Sequence, residues 1–445
     1  MTQSLLTPSQ LSRRSLLRGA ALGAGVVTVP GLLAACSGGG GSSGGSGGAK
    51  QQNITFGSNY SDPTPMKALQ AVVDGYTKKS GNTVKVNTVA HNDYQTNITR
   101  YLQANPDDVA AWFAGYRMQF FAQKGYLEDI SDVWSGLNGF TDALKAASTG
   151  ADGKQYFVPI YNYTWALFYR KSTFQQKGYQ PPKNWDDYIA LAKKIKADGG
   201  VPIGFSDQDG WPAMGTFDYI NMRKNGYQFH VDLMAGKQSW EDQKVKDVFG
   251  LWASLFDQGL YQPGANGRTW EQAGTSFAKK EVAMVVFGTP HVALQTPQAD
   301  HADIGITPFP IIDEANGTDS VEAPIDGFML PKKAKNKEGG KDLLKYIGTP
   351  DAENAYLKVD NSNIAVNSNA DTSGYEQLQK DSAALAASAK HISQYLDRDT
   401  RPDFAQTVVI KAFQSFIDKH SKSDIDALCK SMQDQAKAIF SQPVS

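Results

Sequence analysis

Residues 53–57 read Asn-Ile-Thr-Phe-Gly and residues 84–89 read Val-Lys-Val-Asn-Thr-Val, and both stretches have the composition of short β-strands. Between them, apolar side chains recur at helical spacing, at Met66, Leu69, Val72, Val73 and Tyr76. Gly81 follows this pattern and predicts the end of the helix. A strand, a helix and a second strand joined by short loops indicate a parallel α/β sheet.

The same alternation of strands and helices continues along the chain. Further strands are predicted at Val109–Phe113, Tyr156–Pro159, Leu167–Tyr169 and Glu281–Phe287. Asn184 predicts the start of another helix, because its side chain can accept a hydrogen bond from a free backbone N–H. The sequence shows no repeat and no long internal linker. We therefore predict an α/β protein whose two lobes are joined by several chain crossings.

The first 35 residues have the pattern of a bacterial export signal. Arg13 and Arg14 precede a mildly apolar run, which resembles a twin-arginine signal, and the run ends in Leu33-Ala34-Ala35-Cys36, which resembles a lipobox. We predict a signal peptide over residues 1–35, lipidation of Cys36 and a flexible Gly/Ser tether over residues 36–49. An ordinary membrane anchor is the alternative, and general secretory export stays open beside twin-arginine export.

Charge and cysteine content exclude several classes of protein. Lys and Arg total 44 against 45 Asp and Glu, which argues against a nucleic-acid-binding protein and a polybasic membrane-surface protein. The two cysteines, Cys36 and Cys429, are too few for a disulfide framework or a cysteine-rich zinc module, and Cys429 is predicted to be a buried, inert thiol. The metalloprotease, phosphate-loop and dinucleotide motifs are absent, so we predict no metal, no cofactor and no catalytic residue. A secreted glycoside hydrolase stays an alternative, because two distant carboxylates could meet in the fold.

Aromatic residues make up 11% of the chain and concentrate in segments that follow predicted strands. These segments are 59–60, 112–117, 161–165 and 209–212. Ligands of open α/β sheets bind beyond the carboxyl ends of the strands. Aromatic faces suit the C–H-rich faces of sugars, and nearby Asp, Asn and Arg side chains can bond sugar hydroxyls. The set as a whole favours a sugar-binding cleft, although any single aromatic residue could instead pack in the core.

An ordered series of short motifs resembles the extracellular solute-binding proteins of ABC importers, in the maltose-binding-like carbohydrate group known as family 1. The resemblance covers nearly all of residues 50–445. Its landmarks are Pro106-Asp107-Asp108-Val109, residues 112–117, residues 122–127, residues 153–159, residues 167–171, Asn184-Trp185-Asp186-Asp187, residues 277–284, Pro308-Phe309-Pro310 and Asp326-Gly327-Phe328. Each motif alone is weakly specific, and the order of the series carries the resemblance.

The resemblance implies a two-lobed, periplasmic-binding-protein-like α/β fold with three interlobe crossings and a ligand cleft. It implies an N-terminal lobe of residues 50–160 and 327–365 and a C-terminal lobe of residues 161–326 and 366–445, with crossings near 156–163, 323–330 and 361–367. The side chains that would line the first lobe's side of the cleft are Asn59, Tyr60, Trp112, Phe113, Tyr116 and Arg117. Those of the second are Tyr163, Trp165, Asp209, Trp211 and Trp270, with Asp326 at a hinge beside the cleft.

The chain departs from the family pattern at three places. The run Gly288-Thr289-Pro290-His291 stands where the family often has a tryptophan, Tyr116 replaces an acidic residue, and Lys280 replaces a glycine. These changes make maltose a doubtful ligand. We expect a monomeric, lipid-anchored receptor on the extracytoplasmic face of the cell membrane. It should capture a sugar, which we expect to be an oligosaccharide, and deliver it to an ABC permease. A non-sugar solute such as a phosphorylated polyol is the alternative within binding proteins.

Overall fold

Two mixed β-sheets, each flanked by helices, organise residues 51–444, which are the residues that the computed structural model describes. The predicted signal peptide, the lipidation of Cys36 and the tether lie outside these residues. The strands are β1 (Asn53–Ser58), β2 (Thr83–Thr88), β3 (Val109–Phe113), β4 (Phe157–Asn162), β5 (Trp165–Arg170), β6 (Val201–Gly204), β7 (Val282–Gly288), β8 (Ile304–Thr307), β9 (Ser320–Glu322), β10 (Ile325–Met329) and β11 (His391–Ser393).

The α-helices vary from short turns to 19 residues. They are α1 (Pro63–Ser80), α2 (His91–Gln103), α3 (Tyr116–Gln123), α4 (Ser131–Trp134), α5 (Asp142–Ala147), α6 (Lys171–Lys177), α7 (Trp185–Ala197), α8 (Pro212–Asn225), α9 (Tyr227–Met234), α10 (Gln243–Asp257), α11 (Trp270–Ala278), α12 (Thr289–Ala293), α13 (Lys337–Ile347), α14 (Pro350–Leu357), α15 (Gln377–Ser388), α16 (Leu396–Asp399), α17 (Pro402–Phe404), α18 (Ile410–Asp418) and α19 (Lys422–Phe440). Two 3₁₀ turns, Ala265–Gly267 and Gln298–Asp303, and one π-helical turn, Ala405–Val409, complete the order.

The first sheet has the strand order β2-β1-β3-β10-β4 and defines, with its helices, the first lobe. Strands β1, β2 and β3 are parallel, as the strand–helix–strand pattern predicts, and β10 runs antiparallel to both of its neighbours. Helix α1 begins at Pro63 and ends before Gly81, whose φ of 74° suits glycine. Its inward face carries four of the five predicted apolar residues, whereas Met66 is 45% exposed.

The second sheet has the order β6-β7-β5-β8 and defines, with its helices, the second lobe. The continuous apolar run of β7 is buried along its whole length, because β7 pairs with β6 on one side and with β5 on the other. The predicted helix cap is confirmed, since the Asn184 side chain accepts a hydrogen bond from the backbone N–H of Asp187 at 2.9 Å. Because β5 and β7 are antiparallel, Trp165 at the start of β5 pairs with Gly288 at the end of β7.

The chain passes between the two sheets more than once. It leaves the first sheet after Asn162, enters the second at Trp165, and returns between β8 and β10. A third passage lies between α14, which packs on α1, and α15, which packs on β8. In this passage Ile364 bridges Asn162, and the buried Glu353 carboxylate accepts from the backbone of Val366. The two-lobed α/β architecture is therefore as predicted, while the exact lobe boundaries given above stay a prediction.

Cys429 is a free, fully buried thiol on α19. Burial raises the pKa of this thiol to about 12, so the thiolate that would react is scarcely populated near neutral pH. The prediction that Cys429 is buried is confirmed, and its inertness stays a prediction.

Replacing Gly327 with alanine should disrupt the first sheet at the bulge where β10 pairs with β4. A Cβ at this position would lie 2.2 Å from the Val158 carbonyl oxygen and 2.7 Å from the Phe157 ring. Because backbone atoms would have to move, we expect Gly327→Ala to lower the free energy of unfolding by about 1–3 kcal/mol in urea titrations. Gly250→Ala is the control: no atom lies within 4 Å of its added Cβ in α10, and a small gain of about 0.4–1 kcal/mol is expected. Equal stability of the two variants would contradict the prediction.

Candidate functional site

A central cavity of about 110 Å³ is lined by residues of both sheets and of the segments between them. Nine of the twelve predicted ligand-binding residues line it: Asn59, Tyr60, Phe113, Arg117, Tyr163, Trp165, Trp211, Trp270 and Asp326. Asn59, Tyr60 and Arg117 follow the parallel strands β1 and β3, whose carboxyl ends lie at the same edge of the first sheet. The structure therefore brings these nine residues together around one cavity, and their role in binding stays a prediction.

Tyrosines from three separate segments pack together on the first-lobe side. The ring of Tyr161 lies 4.8 Å from that of Tyr356 and 6.1 Å from that of Tyr60, centroid to centroid. Tyr60 follows β1, Tyr161 belongs to β4 and Tyr356 to α14. Each of the three rings therefore contacts the other two.

Aromatic rings surround His291 on the second-lobe side. The His291 ring lies 5.2 Å from the rings of Trp165, Trp211 and Trp270, and 5.9 Å from that of Tyr163. Gly288 at the end of β7 begins the short turn that carries His291 inward. The second-lobe wall thus presents flat apolar faces around one imidazole.

Two ion pairs join the two sides of the cavity. Arg398 Nη1 lies 2.8 Å from Asp326 Oδ1, and Arg117 Nη1 lies 3.1 Å from Asp397 Oδ2. Arg398 also donates to the Tyr163 hydroxyl at 3.1 Å. Burial raises the pKa of the Asp326 carboxyl, and the Arg398 charge opposes this shift. Each arginine in the cavity therefore already has a carboxylate partner.

A chain of polar contacts extends from Arg117 along the first-lobe side. Arg117 Nη1 donates to Gln95 Oε1 at 2.7 Å, and Gln95 Nε2 lies 2.6 Å from His91 Nε2. His91 Nδ1 lies 3.2 Å from Asn59 Nδ2, and because a neutral imidazole has one donor and one acceptor nitrogen, only one of the two amide nitrogens donates to the ring. Arg117 is thus connected through Gln95 to a histidine that lines the cavity.

Several side chains of the lining carry buried polar atoms without a hydrogen-bond partner among residues 51–444. They are Asn59 Oδ1, Tyr60 Oη, Arg117 Nε, Asn363 Oδ1, Trp165 Nε1 and Trp211 Nε1. Buried polar groups in folded proteins are nearly always satisfied by protein, ordered water or ligand. Their concentration around one cavity supports a site that binds a polar molecule.

Three predicted residues do not line the cavity. The Trp112 ring packs beside the lining, 5.0 Å from the Phe113 ring and 5.5 Å from the Phe121 ring, centroid to centroid. Tyr116 begins α3 and is half-buried. Asp209 accepts from the backbone N–H of Trp270 at 2.8 Å and from Asn92 Nδ2, on α2 of the first lobe, at 2.9 Å. Asp209 therefore joins the lobes at the edge of the cavity.

Sequence reasoning missed much of the lining. The additional side chains are Asp62, Pro65, His91, Gln95, Tyr161, Pro290, His291, Leu294, Asp360, Asn363, Tyr395, Asp397 and Arg398. The segments 290–294 and 393–401 contribute three of them each. A signal existed in the sequence of the second segment, Tyr395-Leu-Asp-Arg-Asp-Thr-Arg401, since it holds four charges in seven residues. Tyr395 has a φ of 102°, which is rare for a residue with a side chain and marks a constrained backbone.

Acid should destabilise the protein through the two histidines of the cavity. Burial, together with nearby cationic groups, lowers the pKa of His91 to about 4 and that of His291 to about 3, from the ordinary 6.5. The unfolded chain therefore takes up protons below about pH 6.5 that the folded chain does not, and stability is lost as the pH falls. We expect a loss on the order of 2 kcal/mol per histidine at pH 5, measured by urea titration between pH 7.5 and 5.

The matched control for this prediction is the double variant His91→Gln/His291→Gln. In this variant the free energy of unfolding should depend less steeply on pH. Part of the dependence should remain, because burial also lowers the pKa of His230, to about 3. An unchanged slope in the double variant would contradict the assignment.

The described part of the chain shows neither a metal site nor a membrane span. Among residues 51–444, no group of three or more His, Cys, Asp or Glu side chains is arranged to hold a metal ion. Within the same range, no helix is both long enough and apolar enough to cross a bilayer.

Comparison with known proteins gives a consistent result. A family model described as "Bacterial extracellular solute-binding protein" matches residues 60–354. The crystal structure of the bacterial solute receptor AcbH, described as having an exclusive substrate preference for β-D-galactopyranose, superposes with a TM-score of 0.86. The two chains are 46% identical, and the match covers 88% of this chain and all of the other.

Two more distant sequence relatives are also described as binding proteins. An uncharacterised ABC-transporter extracellular-binding protein of Pyrococcus horikoshii is 26% identical over 71% of this chain and 71% of its own. The diacetylchitobiose-binding protein NgcE of Streptomyces coelicolor is 22% identical over 68% of this chain and 67% of its own.

Proposed function

The chain belongs to the bacterial extracellular solute-binding protein family, and from this premise we propose that it captures one neutral monosaccharide, a hexopyranose, in the central cavity. Its relatives include sugar-binding receptors of ABC transporters, which supports a carbohydrate ligand. Ring faces on the second-lobe side and charged groups opposite them supply the two kinds of contact that a pyranose needs.

The size of the cavity carries this proposal. One water-sized group occupies roughly 10–15 Å³ on the same measure. A volume of about 110 Å³ therefore accommodates roughly ten such groups, which suits one pyranose ring with its hydroxyls. A disaccharide would need about twice this space, so we propose a monosaccharide in place of the oligosaccharide expected above. An oligosaccharide stays the second candidate, because NgcE is described as binding diacetylchitobiose.

The charges of the cavity favour a neutral ligand over a phosphorylated one. A phosphate needs unpaired cationic groups, whereas Arg117 and Arg398 are each already bound to an aspartate. Asp360 adds another buried carboxyl to the lining. A dianionic phosphate would have to displace these carboxylates, so the phosphorylated-polyol alternative is disfavoured.

β-D-Galactopyranose is the first ligand to test, since AcbH, at 46% identity, is described as preferring it exclusively. We further propose that the receptor is anchored through a lipid on Cys36 on the extracytoplasmic side of the membrane, acts as a monomer and hands its sugar to an ABC permease. The export-signal pattern of residues 12–36 supports the anchoring. In this role the protein catalyses no reaction.

Isothermal titration calorimetry of the mature chain tests the proposal. The panel is D-galactose, D-glucose, D-mannose, diacetylchitobiose, raffinose and galactose 6-phosphate. We expect one hexose to bind with a micromolar or lower Kd, about −8 kcal/mol, and the phosphate ester to bind far more weakly. Tight binding only of the oligosaccharides would favour the second candidate, and turnover of a chromogenic glycoside would favour a hydrolase. No heat with any sugar would refute the proposal.

A further inference from the structure

His291 has a fixed position at the centre of the second-lobe wall. Three tryptophan rings surround its imidazole at 5.2 Å, and Phe287 adds a fourth ring at 5.5 Å. Pro290 at the start of α12 restricts the backbone immediately before it. The imidazole is therefore held in one orientation by its neighbours.

The protonation state of His291 follows from its one hydrogen bond. The backbone N–H of Gly288 donates to Nδ1 at 3.1 Å, so Nδ1 supplies the lone pair and the proton of the neutral ring is on Nε2. Burial, the charge of His91 and the charge of Arg398 lower the pKa of His291 to about 3, so the ring is neutral at neutral pH. Among residues 51–444, Nε2 has no hydrogen-bond acceptor.

A neutral imidazole with this tautomer presents one N–H donor and no acceptor to the cavity. The chemical group that it can satisfy is an oxygen with a free lone pair, such as a sugar hydroxyl or ring oxygen. A ligand without the matching oxygen leaves this donor without a partner among the surrounding rings. Sites of this kind reject the deoxy analogue of their ligand strongly.

We propose that His291 is a specificity-determining residue, whose Nε2–H donates to one hydroxyl or ring oxygen of the bound pyranose. The inference rests on the function proposed above and deepens it by assigning a residue to one contact of the sugar. It also gives a role to the Gly288-Thr289-Pro290-His291 run, at which the chain departs from the tryptophan that the family often has.

The test is a thermodynamic cycle in which the residue at position 291 and one hydroxyl of the ligand are removed separately and together. The parent sugar is the one of D-galactose, D-glucose and D-mannose that binds wild type most tightly. This sugar and its 2-, 3-, 4- and 6-deoxy forms are each titrated into wild type, His291→Phe and His291→Gln. If the contact is to a hydroxyl, we expect wild type to bind one deoxy form at least about 10-fold more weakly than the parent. His291→Phe should bind the parent about 10-fold more weakly and show no further loss for that deoxy form, and His291→Gln, which keeps an N–H donor, should recover part of the affinity.

Two further measurements make the outcome decisive. His420→Phe is the matched control: His420 contacts Phe416 and Asp257 outside the cavity, so affinity should not change.

¹⁵N NMR of the wild-type protein at pH 7 should show His291 as the neutral Nε2–H tautomer, and an imidazolium or Nδ1–H signal would overturn the inference even if a variant fails to fold. A donor to the ring oxygen would instead give the His291→Phe loss with no deoxy position affected. Unchanged affinity of His291→Phe for the parent sugar overturns the inference while the proposed function stands, whereas no binding by wild type overturns both.

Discussion

Arg398→Met should abolish sugar binding and destabilise the fold. Arg398 donates to Asp326 and to the Tyr163 hydroxyl inside the cavity, and its guanidinium lies 4.0 Å from the centre of the Phe113 ring. Methionine keeps the length of the side chain but leaves the Asp326 carboxyl buried without its cation. Removing one partner of a buried ion pair costs about 3–5 kcal/mol. We therefore expect the free energy of unfolding to fall by about 3 kcal/mol and the sugar Kd to rise at least about 100-fold.

Two companion variants separate the loss of stability from the loss of binding. Asp326→Asn combined with Arg398→Met removes the uncompensated charge, so it should regain most of the stability and none of the sugar affinity. Lys390→Met makes the same kind of replacement at an exposed pair with Asp319, where an ion pair is worth roughly 0–1 kcal/mol, and should change neither quantity measurably. Binding of sugar by Arg398→Met with the affinity of wild type would show that Arg398 does not form the site.

Trp211→Ala should produce the second large effect, a loss of sugar affinity that exceeds the loss of stability. The Trp211 ring lies against His291 and at 6.5 Å from Trp270, so it forms part of the flat second-lobe wall. A buried aromatic face contributes both apolar area and a defined orientation to its ligand. We expect the Kd of the preferred hexose to rise at least about 30-fold, about 2 kcal/mol, in calorimetric titrations.

Trp185→Ala is the matched control for this prediction. Trp185 begins α7, is also partly buried and packs on Tyr188 at 5.7 Å, but it does not line the cavity. Both variants should melt at lower temperature than wild type, and only Trp211→Ala should lose the sugar. Equal affinities of the two variants would remove Trp211 from the proposed binding wall.

The fold could be predicted because its pattern is local. Period and composition identify β1, α1 and β2 within forty residues, and Asn184 marks the start of α7 by a side-chain hydrogen bond to the backbone three residues ahead. The resemblance to the family then supplied the two-lobed arrangement. The segments that follow β1 and β3 lie at one edge of the first sheet, because these two strands are parallel.

The details of the candidate site depended on contacts that no local pattern contains. Trp112 and Phe113 are adjacent aromatic residues whose rings lie 5.0 Å apart, yet only Phe113 lines the cavity. Asp209 has the chemistry of a sugar ligand, but Asn92, 117 positions away, turns it into a contact between lobes. The run that ends in His291 was interpreted as lacking a tryptophan, because the rings that surround His291 come from three separate segments of the chain, at Tyr163 and Trp165, at Trp211 and at Trp270.

The position of Arg398 in the chain has a consequence for biosynthesis. Every strand of the two large sheets is complete by Met329, whereas the partners of Asp326 and Arg117 follow 72 and 280 residues later in the chain. Contacts between residues so distant in sequence are expensive in loop entropy and tend to form late. A nascent or truncated chain that ends before residue 397 thus contains every strand of the two large sheets but lacks Asp397 and Arg398 of the cavity lining. The sugar can stabilise only a chain that has completed this last step, and its binding is a direct assay of whether the C-terminal segment has docked.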